Sequence, residues 1–125
     1  MSYVLGKRSK ERLEGVHPDL VAVVERAIEI SKIDFTVLEG VRTRERQKEL
    51  FDKGASKTMN SRHLTGHAVD LAPWPIDWND LGRFRIMSEA VKMASVELEV
   101  PVTWGGDWRS FYDGPHFELD RKAYP

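Results

Sequence analysis

The stretch from Ser61 to Asp70, SRHLTGHAVD, places two histidines and one aspartate within ten residues. Gly66 predicts a turn, and the apolar residues that follow it predict a short strand. Alternation along that strand puts Asp70 on one face and Val69 and Leu71 on the other. We therefore expect Val69 and Leu71 to be buried in a core while Asp70 points into a cleft.

The sequence around this stretch predicts three helices. Apolar residues at helical spacing predict helices over residues 18–32 and about 78–98, the second capped by Asp77. A shorter helix is expected between Thr43, a candidate N-cap, and Gly54, a candidate stop. The buried side of the long helix is predicted to consist of Leu81, Phe84, Ser88, Val91 and Leu98.

Short strands separate these helices. Alternating or β-branched runs predict strands over residues 35–41, 67–73, 100–104 and 116–120. No βαβ unit repeats along the chain. We therefore predict an α+β fold, a single domain over residues 1–125 in which a small antiparallel sheet packs against helices.

Charge and hydropathy narrow the function classes. The chain carries 19 Lys and Arg against 20 Asp and Glu, so it has no overall field that would attract nucleic acid or an anionic membrane. Residues 1–15 are basic, and we predict a solvated, loosely ordered terminus there rather than a contact with an acidic polymer. No apolar run approaches the ~20 residues of a membrane span, and residues 1–10 lack the apolar core of a signal peptide.

The absence of cysteine means that any metal must be held by histidine and carboxylate. His63 and Asp70 are the first candidates, whereas His67 falls on the opposite strand face and is expected to be structural or exposed. For a third ligand, His17 is better explained as a helix cap or surface residue, and His116, at the start of a strand, is the better candidate. The spacing of these residues alone is equally consistent with a metal site and with ordinary polar residues of a loop.

An acidic residue lies close to the third candidate ligand. Asp113 precedes His116 by three residues, across a Gly-Pro turn that can fold it back towards a metal. A carboxylate there, not itself a ligand, could take a proton from water and later give it to a leaving amine. Glu118 shares the strand face of His116 and is either a residue that orients this histidine or a plain surface charge.

Several segments, in this order, resemble one family. SRHLTGHAVDLAP matches the SxHxxGxAxD signature of zinc-dependent peptidoglycan peptidases, which include VanY-type D-alanyl-D-alanine carboxypeptidases and phage endolysins that cleave L-alanyl-D-glutamate bonds. The resemblance continues in FTVLEGVRTRERQKELFDKGASKT upstream and in WGGDW and DGPHFEL downstream, and covers about residues 16–119. The compact length and the segments EGVRTRERQ and DGPHFEL most resemble the single-domain endolysins.

The resemblance implies a set of roles. It implies one zinc ion in a cleft on the sheet, with His63, Asp70 and His116 as its ligands. It implies Asp113 as the catalytic acid and base, where many relatives have glutamate. It also implies Arg42 as a substrate-binding and catalytic residue that polarises the scissile carbonyl and stabilises the oxyanion.

Other residues near these motifs have two interpretations each. Ser61 matches the signature serine and is expected to contact substrate, although it could simply form a turn. Trp104 is expected to line the substrate cleft together with Trp108, although both could pack beneath the loop as core residues. Gln47 is placed on the short helix near Arg42 and is assigned no role.

In function, the resemblance implies a phage endolysin that hydrolyses the L-alanyl-D-glutamate bond of peptidoglycan and lyses the bacterial wall. It implies a monomer with no nucleic-acid partner and no membrane insertion, which accumulates in the host cytoplasm and reaches the wall after holin-type release. Two alternatives stay open: a D,D-carboxypeptidase that removes terminal D-alanine, and a non-catalytic protein that keeps the zinc fold for binding.

Overall fold

The computed structural model describes residues 2–125, which form helices and one antiparallel sheet, and this confirms the predicted α+β class. Two short 3-10 turns, Arg62–Thr65 and Gly105–Asp107, carry residues of the site. The main elements are α1 (Lys7–Arg12), α2 (Pro18–Ile30), β1 (Phe35–Glu39), α3 (Arg44–Asp52), β2 (Ala68–Pro73), α4 (Leu81–Leu98), β3 (Val102–Trp104) and β4 (His116–Leu119).

The order of the strands brings distant parts of the chain together. The sheet runs β1-β2-β4-β3, and each neighbouring pair is antiparallel. Its register sets Asp70 opposite His116 on β4 and opposite Glu39 on β1. Because directly opposed residues project from the same face of a sheet, these three side chains begin close together.

One apolar core lies between the sheet and the helices. Helix α2 packs against α4, and α4 also contacts β2 and β3. Val69 and Leu71 are fully buried, as the alternation of β2 predicts. The largest apolar side chains that are fully buried in this core are Leu20, Val23, Val24, Val37, Val69, Leu71, Met87, Val91, Phe117 and Leu119.

The long helix begins later than the sequence predicts. Its cap is Asp80, whose carboxylate accepts the N–H of Arg83, whereas Asp77 accepts a hydrogen bond within the preceding turn. Leu81 and Leu98, at the two ends of α4, are exposed, so their assignment to its buried side is wrong. None of the helices within residues 2–125 is long and apolar enough to cross a membrane.

Within the basic N-terminal segment, Lys7–Arg12 form helix α1, so the prediction of a loosely ordered terminus is wrong for these residues. Helix α1 covers the free edge of β1, where the hydroxyl of buried Ser9 accepts the N–H of Val37 at 3.0 Å. The Arg12 guanidinium donates to the Val37 carbonyl at 2.9 Å. These bonds occupy edge groups that would otherwise be open to pairing with another strand. Two apolar residues flank α1 and are also buried, Leu5 and Leu13.

Candidate metal centre and active-site cleft

Three side chains converge at the centre of the sheet, and they are the three predicted metal ligands. His63, Asp70 and His116 each offer one ligand atom, and these atoms lie within 4.8 Å of one another. Oδ1 of Asp70 is 3.2 Å from Nε2 of His63 and 3.4 Å from Nδ1 of His116. Two imidazole nitrogens and one carboxylate oxygen form a donor set that fits zinc and leaves a fourth position for water or substrate.

The other two histidines lie outside this group. The ring of His17 caps α2 by accepting the N–H of Asp19 at 3.1 Å. The ring of His67 contacts the hydroxyl of Thr65 at 2.6 Å and is half-buried. Both placements agree with the structural roles expected from the sequence.

His63 is oriented by the main chain. It lies in the 3-10 turn that Ser61 caps, since the Ser61 hydroxyl accepts the N–H of His63 at 3.2 Å. Nδ1 of its ring is 2.8 Å from the carbonyl oxygen of Gly40, which leaves Nε2 facing the site. A side chain on Gly40 would run into the carbonyl of Arg12 in α1, so only glycine fits there.

His116 is oriented by a carboxylate instead. Its Nε2 is 2.9 Å from Oε1 of Glu118, and both side chains are buried. The second oxygen of Glu118 accepts a hydrogen bond from Nε of Arg121 at 3.2 Å and lies 3.9 Å from Nε of Arg62. Glu118 therefore aims Nδ1 of His116 at the site, and the hydrogen bond from Arg121 helps to fix Glu118 in turn.

The three converging groups perturb one another's protonation. Burial alone would raise the pKa of Asp70, but hydrogen bonds from His116 and His63 outweigh it and hold that pKa well below its usual range. Burial alone would lower the pKa of His116, but its hydrogen bonds to Asp70 and Glu118 raise it to about 9. Asp70 is thus an anion ready to bind a cation, and a metal must displace a proton from His116.

Asp113 lies beside the ligands on the loop between β3 and β4. Its N–H donates to the carbonyl of Gly105 at 3.0 Å, and its own carbonyl accepts the N–H of His116 at 3.1 Å. A Cβ on Gly105 would run into the Asp113 carbonyl oxygen, so this close approach requires glycine. Burial, and then the negative charge of Asp70, raise the pKa of Asp113, as suits a group that carries a proton.

The guanidinium of Arg42 is held in a fixed orientation at the edge of the site. Its Nε donates to Glu39 at 3.1 Å, with a second bond from Nη2 to the same oxygen, and its Nη1 donates to Gln47 at 2.7 Å. Nη2 lies 3.6 Å from Oδ2 of Asp70. A planar cation fixed in this way is suited to stabilising negative charge that develops next to the ligands.

Gln47 is a residue whose role the sequence does not reveal. Its side chain is fully buried on α3, and besides accepting from Arg42 it donates to the hydroxyl of Ser56 at 2.7 Å and to the carbonyl of Thr58 at 2.6 Å. One amide therefore connects the arginine to the loop after α3. In the sequence Gln47 lies within a polar run, and no local signal marks it as buried.

The ligands open into a cleft of about 350 Å³. Ser61 and Trp108 are among the residues that line it, and the Trp108 ring is centred 5.1 Å from that of His116. Trp104 is instead placed in the core, 7% exposed, where its indole N–H donates to the carbonyl of Gly114 at 2.7 Å. The cleft wall expected of Trp104 is formed by Trp108, because β3 turns Trp104 inwards onto Phe117.

Most of the chain, including these residues, corresponds to a known family. The family model described as Phage L-alanyl-D-glutamate peptidase matches residues 1–120. The chain belongs to this family. Membership confirms the predicted resemblance to peptidoglycan peptidases of the endolysin group.

Individual members of the peptidase family agree in sequence and in fold. The L-alanyl-D-glutamate peptidase of Escherichia phage T5 is 38% identical over 136 aligned residues, which span 95% of this chain and 99% of that protein. The Bacillus subtilis peptidoglycan L-alanyl-D-glutamate endopeptidase CwlK is 29% identical over 104 residues, 70% of this chain and 61% of CwlK. The crystal structure of the Serratia marcescens L-Ala D-Glu endopeptidase ChiX superposes with a TM-score of 0.91 at 43% identity, covering 98% of this chain and 94% of ChiX.

Proposed function

We propose that this chain is a zinc endopeptidase that cleaves the L-alanyl-D-glutamate bond of peptidoglycan stem peptides, and that it acts as a phage endolysin. The observation that carries the proposal is the convergence of His63, Asp70 and His116 in one cleft with Asp113 and Arg42. Membership of the phage peptidase family supports the choice of bond.

Each group has a defined task in this reaction. A zinc ion held by the three ligands would supply Lewis-acid chemistry, polarising the scissile carbonyl and activating water. Asp113 takes a proton from the attacking water and later donates it to the departing amine, as its raised pKa favours. Arg42, fixed by Glu39 and Gln47, stabilises the negative charge that develops on the carbonyl oxygen.

Two cleft residues are proposed to contact the substrate. Ser61 caps the 3-10 turn that carries His63 and lines the cleft, where its hydroxyl can also bind the backbone of the substrate peptide. Trp108 offers an aromatic wall beside His116. Trp104 lies in the core instead and stabilises the loop that carries Asp113 through its bond to the carbonyl of Gly114.

The decisive experiment is mass spectrometry of peptidoglycan fragments after digestion. We expect new D-glutamate amino termini and L-alanine carboxyl termini. Asp113→Asn should lower kcat by about 10²–10⁴-fold while still binding zinc, since it removes only the proton carrier. Asp107→Asn, at an exposed carboxylate near the same loop, is the matched control and should retain full activity.

The same digestion separates the alternatives. Release of free D-alanine without endopeptidase fragments would identify a D,D-carboxypeptidase and contradict the proposal. Stoichiometric zinc binding without any hydrolysis would identify a binding protein. The placement of Asp113 and Arg42 beside the ligands favours catalysis over the second alternative.

In the cell, we propose that the enzyme accumulates as a monomer in the host cytoplasm and reaches the wall after holin-type release. Expression in a Gram-negative host should lyse cells only when a holin is co-expressed. Size-exclusion chromatography with light scattering should give the mass of one chain, 14.4 kDa. Lysis without a holin would contradict the proposed route.

A further inference from the structure

One cation of the cleft has no acidic partner. Lys57 lines the cleft and is exposed, and among residues 2–125 no carboxylate lies within 4.0 Å of its ammonium group. The other lysine and arginine side chains of the cleft are engaged: Arg42 with Glu39, Arg46 with Glu49, and Arg62 and Arg121 with Glu118. Lys57 is thus the cation of the described cleft that is free to bind an anion.

The position of Lys57 indicates which half of the substrate it can contact. Its Nζ lies 5.9 Å from the centroid of the ring of Phe111, which also lines the cleft. Phe111 is two residues before Asp113, the proposed proton donor to the departing amine. Lys57 therefore lies next to the segment that carries the proposed proton donor to the departing amine.

The backbone that carries Lys57 is anchored although its side chain is exposed. Gln47 donates to Ser56 on one side of it and to Thr58 on the other, at 2.7 and 2.6 Å. Because Gln47 is fully buried and also bound to Arg42, the loop is held at a set position relative to the site. A lysine presented from a fixed backbone can bind a defined group of the substrate.

The proposed substrate offers an anion at this place. The departing amine belongs to D-glutamate, and a glutamate joined onward through one of its carboxyl groups keeps the other as a free carboxylate. We propose that Lys57 binds this carboxylate and makes the enzyme prefer D-glutamate over its carboxamide. This inference rests on the proposed function. The Phe111 ring helps by holding the ammonium group over its face.

The test uses two synthetic stem peptides that differ only in this group, a free carboxylate or a carboxamide. Wild-type enzyme should cleave the carboxylate peptide with about twofold to fivefold higher kcat/KM, the size expected for an exposed charge-assisted contact. Lys57→Met should abolish the preference by raising KM for the carboxylate peptide, and Lys57→Arg should restore it. Lys53→Met, an exposed lysine outside the cleft, is the matched control and should keep the wild-type preference.

Other outcomes would overturn the inference. A Lys57→Met enzyme that retains the preference, or that loses activity equally on both peptides, would exclude a specific contact with the carboxylate. Loss of the preference in Arg46→Met but not in Lys57→Met would assign the contact to Arg46 instead. A wild-type enzyme that cleaves neither peptide would contradict the proposed function itself, a result distinct from cleavage without preference.

Discussion

The side-chain oxygen of Gln47 accepts a 2.7 Å hydrogen bond from Nη1 of Arg42, and both groups are shielded from solvent. The amide nitrogen of Gln47 simultaneously binds the loop at Ser56 and Thr58. A single buried side chain therefore positions the arginine of the site and one wall of the cleft. Buried networks of this kind are stable only when every member has its partner.

Replacing this amide should impair both the loop and the arginine. We expect Gln47→Leu to lower kcat, because Arg42 loses a fixed orientation, and to destabilise the fold by about 1–3 kcal/mol, because buried partners are left unpaired. Gln47→Glu keeps the acceptor for Arg42 but loses both donors to the loop, so it should recover kcat more than KM. Kinetics and thermal unfolding measure both effects. Lys48→Ala, at the exposed neighbouring position, should be neutral. Equal kinetics for Gln47→Leu and Lys48→Ala would refute the proposed role of Gln47 in positioning Arg42.

A methyl group at Gly105 should displace the proposed proton carrier. Its Cβ would collide with the Asp113 backbone, and displacement of a reacting group by about 1 Å can cost 10²-fold in rate. We expect Gly105→Ala to lower kcat by at least roughly that factor, since the same Cβ would also lie 3.1 Å from Cβ of His116. Gly82→Ala is the control, because its Cβ would meet only Asp80 at 3.5 Å and alanine favours the helix. Full activity in Gly105→Ala would show that the position of Asp113 is not critical.

The carboxylate behind His116 should determine how tightly the metal is held. Glu118→Gln keeps the shape of the side chain but removes the negative charge that makes the imidazole a stronger ligand, so we expect zinc affinity to fall by about 10–100-fold. Competition with a fluorescent chelator measures the dissociation constant directly, independently of catalysis. Glu49→Gln, at an exposed carboxylate, should leave it unchanged. An unaltered constant in Glu118→Gln would assign Glu118 to stability alone.

The raised pKa of His116 predicts two opposite responses to pH. Its pKa is about 9 in the folded chain against 6.5 for a free histidine, so its stabilising contribution in chelator-treated protein is present below pH 6.5 and is lost as pH rises through about 9. Zinc must displace this proton, so affinity should rise about tenfold per pH unit over the same window. The comparison is with His116→Gln in chelator-treated protein, in which the slope of stability against pH should flatten. Parallel slopes in the two proteins would contradict the assignment to His116.

Features that depend on neighbouring residues could be predicted from the sequence. Alternation alone buries Val69 and Leu71, and Thr43 caps α3 through the N–H of Arg46, as a threonine before a polar helix indicates. His17 likewise caps α2. In each case the deciding interactions lie within a few residues along the chain.

Features that depend on strand register or on packing between distant elements could not be predicted from local sequence patterns. Asp70 meets His116 because β2 and β4 pair in one particular register, which no local pattern specifies. Helix α1 has too few residues to signal itself and forms because β1 offers it an edge. Burial of Gln47, and the inward turn of Trp104, likewise follow from where whole elements pack.

The two ligand imidazoles differ in how far mutation can adjust them. His116 is hydrogen-bonded to a side chain, so substitutions of Glu118 can raise or lower the basicity of the His116 imidazole. His63 is hydrogen-bonded to the backbone carbonyl of Gly40, a group that substitution of residue 40 would not change. Helix α1 also fills the space that any side chain at this position would need. Mutations that alter the metal preference can therefore act through the partner of His116 but not through the partner of His63. Substitutions that change the properties of the metal site should be found on its β4 side.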